Sequence, residues 1–192
     1  MSEKLTYLLL RLRAIILLLL NQKKQALRVF EEMLQLKPID SYALASRAHV
    51  LVQMGDKQSA ITSLEQLAQA YPGNSAAWFN LGYILEESGR LAQAEAAFRR
   101  AIDAEPSMDR AWYGLALILI RERRFDEAVE ALKKNTELQP MSPFGWYQLA
   151  RVHVDRQDPD EAKKIIRHLK GFEPKVAAQL EREIGLGNVT TA

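Results

Sequence analysis

The chain contains no cysteine among its 192 residues, so disulfide frameworks, thiolate metal sites and cysteine nucleophiles are excluded together. Glycine and proline are scarce, 9 and 7 residues, too few for a fold built from many tight turns. Neither sign of charge dominates: 26 Lys and Arg stand against 24 Asp and Glu, a formal net charge of +2. A nucleic-acid binder should carry a basic excess or a basic stripe, so that class of partner is not expected. The Lys163–Lys170 run is no exception, because Ile165, Ile166 and Leu169 make it one helix with an apolar side and a solvated cationic side. A long hydrophobic run is also missing. Leu5 to Leu20 is apolar except for Thr6, Arg11 and Arg13, shorter than the roughly 20 residues of a spanning helix. Lys23 and Lys24 follow it where a secretory signal would place small residues before a cleavage site. These features predict a cytoplasmic chain with neither a cleavable signal nor a transmembrane span.

Motifs that carry chemistry are absent as well. His49, His153 and His168 show no metal-ligand spacing, and no phosphate-binding loop or nucleophile elbow occurs. Gly185-Leu186-Gly187 lacks the third glycine and the preceding strand of a dinucleotide site. Glu31-Glu32 and Glu86-Glu87 read as solvated helix faces. The sequence therefore predicts no catalytic residue, no metal and no cofactor.

What is present is a period. Prolines stand at 38, 72, 106, 140 and 174, each 34 residues from the last. Ala26, Ala60, Ala94, Ala128 and Ala162 keep the same spacing, as do the bulky residues Phe30, Leu64, Phe98, Leu132 and Ile166. Small residues at Ala14, Ala48, Gly82, Ala116 and Ala150 form a fourth series. Within the third repeat, Trp78, Leu81, Gly82 and Leu85 line one face of a helix. Gly89 can end that helix, and Ala94, Phe98 and Ala101 line a second helix that Pro106 stops. Helices this short cannot bury an apolar face alone, so neighbouring pairs must stack.

Trp78-Leu81-Gly82 with Ala94-Phe98-Pro106 resembles the signature of the tetratricopeptide repeat. Trp112-Leu115-Ala116 and Trp146-Leu149-Ala150, with their own Ala, bulky and Pro positions, resemble it nearly as closely. The resemblance implies an all-α solenoid, a right-handed superhelix of five helix pairs over 7–40, 41–74, 75–108, 109–142 and 143–176. A capping helix over 177–186 would complete an array spanning 1–186, with a tail at 187–192. Burial of the three tryptophans in equivalent positions is expected. The first two repeats depart from the pattern, with Leu10 and Leu44 in the tryptophan slot and Arg13 and Arg47 in the leucine slot. Buried arginines would need carboxylates, and Glu31, Glu32 and Glu65 are the nearby candidates.

Arrays of this family line a concave groove with the first helix of each pair, which implies a protein partner, either a peptide or a helical segment. Angular arithmetic at about 100° per residue puts Phe79, Asn80, Tyr83, Arg110, Tyr113, Leu117, Phe144, Tyr147 and Arg151 on one stripe away from the core. The carboxylate clamp of chaperone-binding relatives is not reproduced: its phases hold Ala45, His49, Asn80, Arg110 and Gly114, of which Asn80 and Arg110 match. The implied function is a non-catalytic adaptor or scaffold. The alternatives are a chaperone for secreted or assembling clients and a membrane-surface assembly factor. The first helix is apolar all round, and Leu8, Leu12, Ile15, Leu18 and Leu19 are expected to meet a second copy or a dedicated partner. A membrane surface and an over-hydrophobic monomer are the other readings of that helix.

Overall fold

The computed structural model describes residues 3–185, which hold eleven α-helices and no strand. They fall into two compact bodies. The N-terminal body, Met1–Ala104, contains α1 (Glu3–Leu19), α2 (Lys23–Leu36), α3 (Ser41–Gln53), α4 (Lys57–Ala70), α5 (Ser75–Glu87) and α6 (Leu91–Ala104). The C-terminal body, Glu105–Ala192, contains α7 (Asp109–Arg121), α8 (Phe125–Leu138), α9 (Pro143–Asp155), α10 (Pro159–Lys170) and α11 (Pro174–Glu183). Inside each body every helix packs on the next one along the chain. The final helix starts at Pro174, earlier than the expected 177, because proline fits the first turn where no N–H is needed. Leu186 and the tail at 187–192 lie outside the described residues.

The four periodic series have a physical basis. Ala26, Ala60, Ala94, Ala128 and Ala162 are fully buried, as are Phe30, Phe98 and Leu132 to within a percent. A buried alanine lets neighbouring helix backbones approach, and the bulky residue one turn later fills core space beside it. Gly82 shows how tight this approach is: a Cβ built there would lie 2.9 Å from the Phe98 ring.

A fifth series sits at the turns. Asn21, Gly55, Gly89, Arg123 and Gln157 all have positive φ, between 54° and 81°. The residue after each donates its N–H back to the carbonyl of Leu17, Leu51, Leu85, Leu119 or His153, at 2.8–3.0 Å. That is the helix-ending geometry expected of glycine or asparagine, here also adopted by an arginine and a glutamine. His153 occupies the leucine slot of this series, is 7% exposed, and keeps Nδ1 3.3 Å from Asp158 Oδ2.

Two expectations need correction. Trp78, Trp112 and Trp146 are equivalent but half-buried rather than buried. Each indole Nε1–H donates to the carbonyl of Pro72, Pro106 or Pro140, six residues earlier, at 2.8–2.9 Å. A tryptophan needs a partner for that N–H, and the proline turn at the rim supplies it. In the tryptophan slot of the second repeat, Leu44 has no such group to satisfy and is fully buried.

Arg13 and Arg47 are not buried either. Arg13 is exposed and pairs with Glu32 at 3.6 Å. Arg47 is half-buried, and its partners are neutral oxygens: Nε donates to Ser63 Oγ at 2.9 Å and a terminal nitrogen to Gln66 Oε1 at 3.1 Å. Desolvation pushes its pKa down, and the Glu31 charge partly opposes that.

Candidate functional site

In the N-terminal body the first helices of the second and third repeats, α3 and α5, border a cavity of about 290 Å³. Its floor is small or aliphatic: Ala45, Ala48 and Val52 from α3, Ala76, Ala77 and Ile84 from α5, with Leu64 and Leu67 from α4 behind them. Polar groups stand among these, namely His49, Asn74, Asn80 and Tyr83. The volume is at the small end of ligand pockets, about 300–1,000 Å³, and suits one bulky side chain rather than a whole ligand.

The local sequence explains the opening. Alanines at 43, 45 and 48 on α3 and at 76 and 77 on α5 let the backbones pack while leaving the outer side of the groove unfilled. Asp40 and Asn74 fix the starts of both helices by accepting from Ala43 N and Ala77 N, at 2.8 and 3.0 Å. The rim groups are held from behind. His49 shares a hydrogen bond of 2.7 Å with Gln53. The Tyr83 hydroxyl donates to Glu87 at 3.2 Å, and Glu87 pairs with Lys57 at 3.1 Å. The Glu87 charge raises the Tyr83 pKa, while Lys57 lowers that of Glu87. Tyr83 is therefore a neutral phenol, 46% exposed.

Asn80 and Tyr83 of the predicted stripe thus line the cavity. Phe79 is separated from them: its ring centroid lies 5.9 Å from that of Phe98 on α6, so it packs inside its own helix pair. Ala45 and His49, noticed in the sequence only as failed clamp phases, line the cavity beside Asn80. Ala48 and Val52 were not anticipated. Their signal is the run of small residues Ala43, Ala45 and Ala48 on α3, a set with no aromatic or charged group to mark a binding surface.

In the C-terminal body, Arg110 and Phe144 are exposed, Phe144 by 69%. Tyr113 and Leu117 are half-buried on α7. Tyr147 reaches α11, where its hydroxyl donates to Glu183, and the Arg151 guanidinium lies 5.8 Å from its ring centroid. That hydrogen bond raises the Tyr147 pKa and, with a second from Gln179, lowers that of Glu183. Among the described residues no group of three or more His, Cys, Asp or Glu could hold a metal ion.

Tetratricopeptide-repeat family models match residues 46–109, 85–143 and 143–167. The chain belongs to the tetratricopeptide-repeat family. Arrays of this family serve in general as protein–protein interaction modules, and the present one carries the same helix pairs. No curated protein matches the chain. Among solved structures, the MamA protein superposes with a TM-score of 0.79 at 19% identity, covering 97% of this chain and 98% of that one. MamA residues 41 to the end from Desulfovibrio magneticus RS-1 give 0.75 at 22% identity, covering 92% and 96%. YrrB, described as a tetratricopeptide protein with an unusual peptide-binding site, gives 0.76 at 19% identity, with 88% of each chain covered. At these identities the likeness is one of fold. No helix among the described residues is long and apolar enough to cross a membrane.

Proposed function

We propose that this tetratricopeptide-repeat protein is a non-catalytic cytoplasmic adaptor that takes a segment of a partner protein on the first helices of its pairs. The observation that carries this is the cavity between α3 and α5, with an alanine-rich floor and polar groups at its rim. One apolar side chain of the partner fills the floor. Asn80, His49 and the Tyr83 hydroxyl bond the partner's backbone around it. The C-terminal body carries a candidate recognition surface of its own in Arg110, Tyr113, Leu117, Phe144 and Arg151, since aromatic and arginine side chains supply most hot spots. The peptide-binding site named for YrrB supports reading a fold of this kind as a peptide receptor.

Panning a random peptide display library against the purified chain tests this. Peptides sharing an apolar anchor should be enriched, and Ala76→Leu, which plugs the cavity from an exposed position, should weaken them by about tenfold or more. Enrichment unaffected by Ala76→Leu, with helicity intact, would count against the cavity. A chaperone for a secreted or assembling client is favoured by one observation, the 69% and 68% exposure of Phe144 and Met141. Suppressed aggregation of a chemically denatured reporter enzyme would distinguish that reading.

A further inference from the structure

The structure divides α1 into two sides. Ala14 and Leu17 are buried, and Tyr7, Leu10 and Leu18 pack against the same core cluster. Leu18 therefore belongs to the inner side and not, as the sequence suggested, to the outer one. On the other side Leu5, Leu8, Leu9, Leu12, Ile15, Ile16 and Leu19 are each 40% to 81% exposed. At about 100° per residue these seven fall within an arc of roughly 120° centred opposite Ala14. Leu5, Leu8, Leu12, Ile15 and Leu19 follow one another at steps of three, four, three and four. That is the spacing of a helix–helix seam, and Leu and Ile are the residues such seams use.

The seven exposed residues leave roughly 700 Å² of mostly apolar surface in water, above the 300–600 Å² of the largest patch on an ordinary monomer. It is also about the area each partner contributes to a standard interface. Two features argue against a lipid surface as the cover. An in-plane membrane helix flanks its apolar side with cations directed at headgroups and with Trp or Tyr. Here the Arg11 guanidinium lies 4.4 Å from the Tyr42 ring centroid on α3, and Arg13 pairs with Glu32 on α2. Both arginines are thus drawn back toward the protein, and the exposed arc contains no aromatic residue.

We infer that α1 docks against α1 of a second copy, antiparallel, about a two-fold axis at Leu12. The set is symmetric about that residue: Leu5 meets Leu19 of the other copy, Leu8 meets Ile16, Leu9 meets Ile15, and Leu12 meets itself. A two-fold contact requires such self-complementarity. The inner side already holds α1 helical, so association does not have to order it. This inference is independent of the peptide site on α3 and α5.

The lack of cysteine makes the test direct. Light scattering of the purified full chain should give twice the monomer mass. Leu12→Glu, at an exposed position, should weaken dimerisation by about 30-fold or more while circular dichroism shows unchanged helicity. Under mild oxidation Leu12→Cys should form a disulfide-linked dimer. Leu5→Cys alone should not, whereas Leu5→Cys mixed with Leu19→Cys should. A monomer at all concentrations would overturn the inference, as would a monomer that sediments with anionic phospholipid vesicles. Self-linking of Leu5→Cys would overturn the antiparallel register. A dimer indifferent to Leu12→Glu would move the interface off α1.

Discussion

Replacing Gly145 by alanine puts a methyl group where α8 has already placed a side chain. A Cβ at residue 145 would stand 2.2 Å from Asn135 Oδ1 and 3.0 Å from Thr136 Cγ2. Asn135 cannot swing away freely, because it is 5% exposed and its Nδ2 donates to the Asp109 carbonyl at 2.9 Å. It occupies the slot that Ala101 fills one repeat earlier, and Gly145 occupies the slot of Ala111. The glycine thus makes room for the larger amide. Overpacking of this kind costs about 1–3 kcal/mol, and displacing the Asn135 hydrogen bond about 1 kcal/mol more. Removing glycine from a helix returns about 1 kcal/mol. Gly145→Ala should therefore lose about 1–3 kcal/mol net. Asn135→Ala alone should lose about 1 kcal/mol. The double variant should recover the helix gain without the clash and come out near the parent, leaving a coupling of about 2–4 kcal/mol. Urea unfolding followed by tryptophan fluorescence measures all three, provided the slopes agree. Additive effects, or a Gly145→Ala variant more stable than the parent, would refute the packing argument.

Gln157→Gly should stabilise the C-terminal body by about 1 kcal/mol, because Gln157 bears the left-handed penalty that glycine does not; thermal unfolding checks it. Arg47→Leu should be neutral or stabilising, since Leu81, Leu115 and Leu149 are buried in the equivalent slot and Ser63 keeps its bond to the Ser59 carbonyl; the same assay would show a clear loss if Arg47 were needed. Tyr7 is raised from 10.0 to about 12, by burial first and then by the hydrogen bond and charge of Asp40. The folded state prefers the neutral phenol, so this contribution is complete below about pH 10 and lost as pH rises toward 12. Denaturant unfolding across that range should show an alkaline decline that Tyr7→Phe reduces.

The helix pairs were legible because period and residue type agree: alanine and a bulky partner recur at the same two slots, and proline marks each junction. The turns were legible at Asn21, Gly55 and Gly89, whose types tolerate positive φ. Arg123 and Gln157 adopt it without advertising it, because the fold around them dictates the turn. Tryptophan burial was overestimated because hydrophobicity alone ignores the indole N–H, which draws the ring to the Pro carbonyl at the rim. In the candidate site, Asn80 and Tyr83 followed from angular arithmetic. Phe79 did not, since one residue's rotation carries it toward α6 and only the position of Phe98 decides the matter. The cavity itself is made by what Ala45, Ala48 and Ala76 lack, and missing side-chain atoms leave no binding group in the sequence to mark it. For α1, apolarity all round was evident, whereas the split into a packed and an exposed side depends on where α2 and α3 lie.

On the proposed function a partner segment seats an apolar side chain between α3 and α5. A crystal structure, or amide chemical-shift mapping, of the chain with a display-selected peptide tests it most directly. The peptide's anchor should lie beside Ala45, Ala48, Val52 and Ala76, with shifts concentrated at His49, Asn80 and Tyr83. A peptide bound instead on the outer faces of α2, α4 and α6, with those residues unmoved, would contradict it.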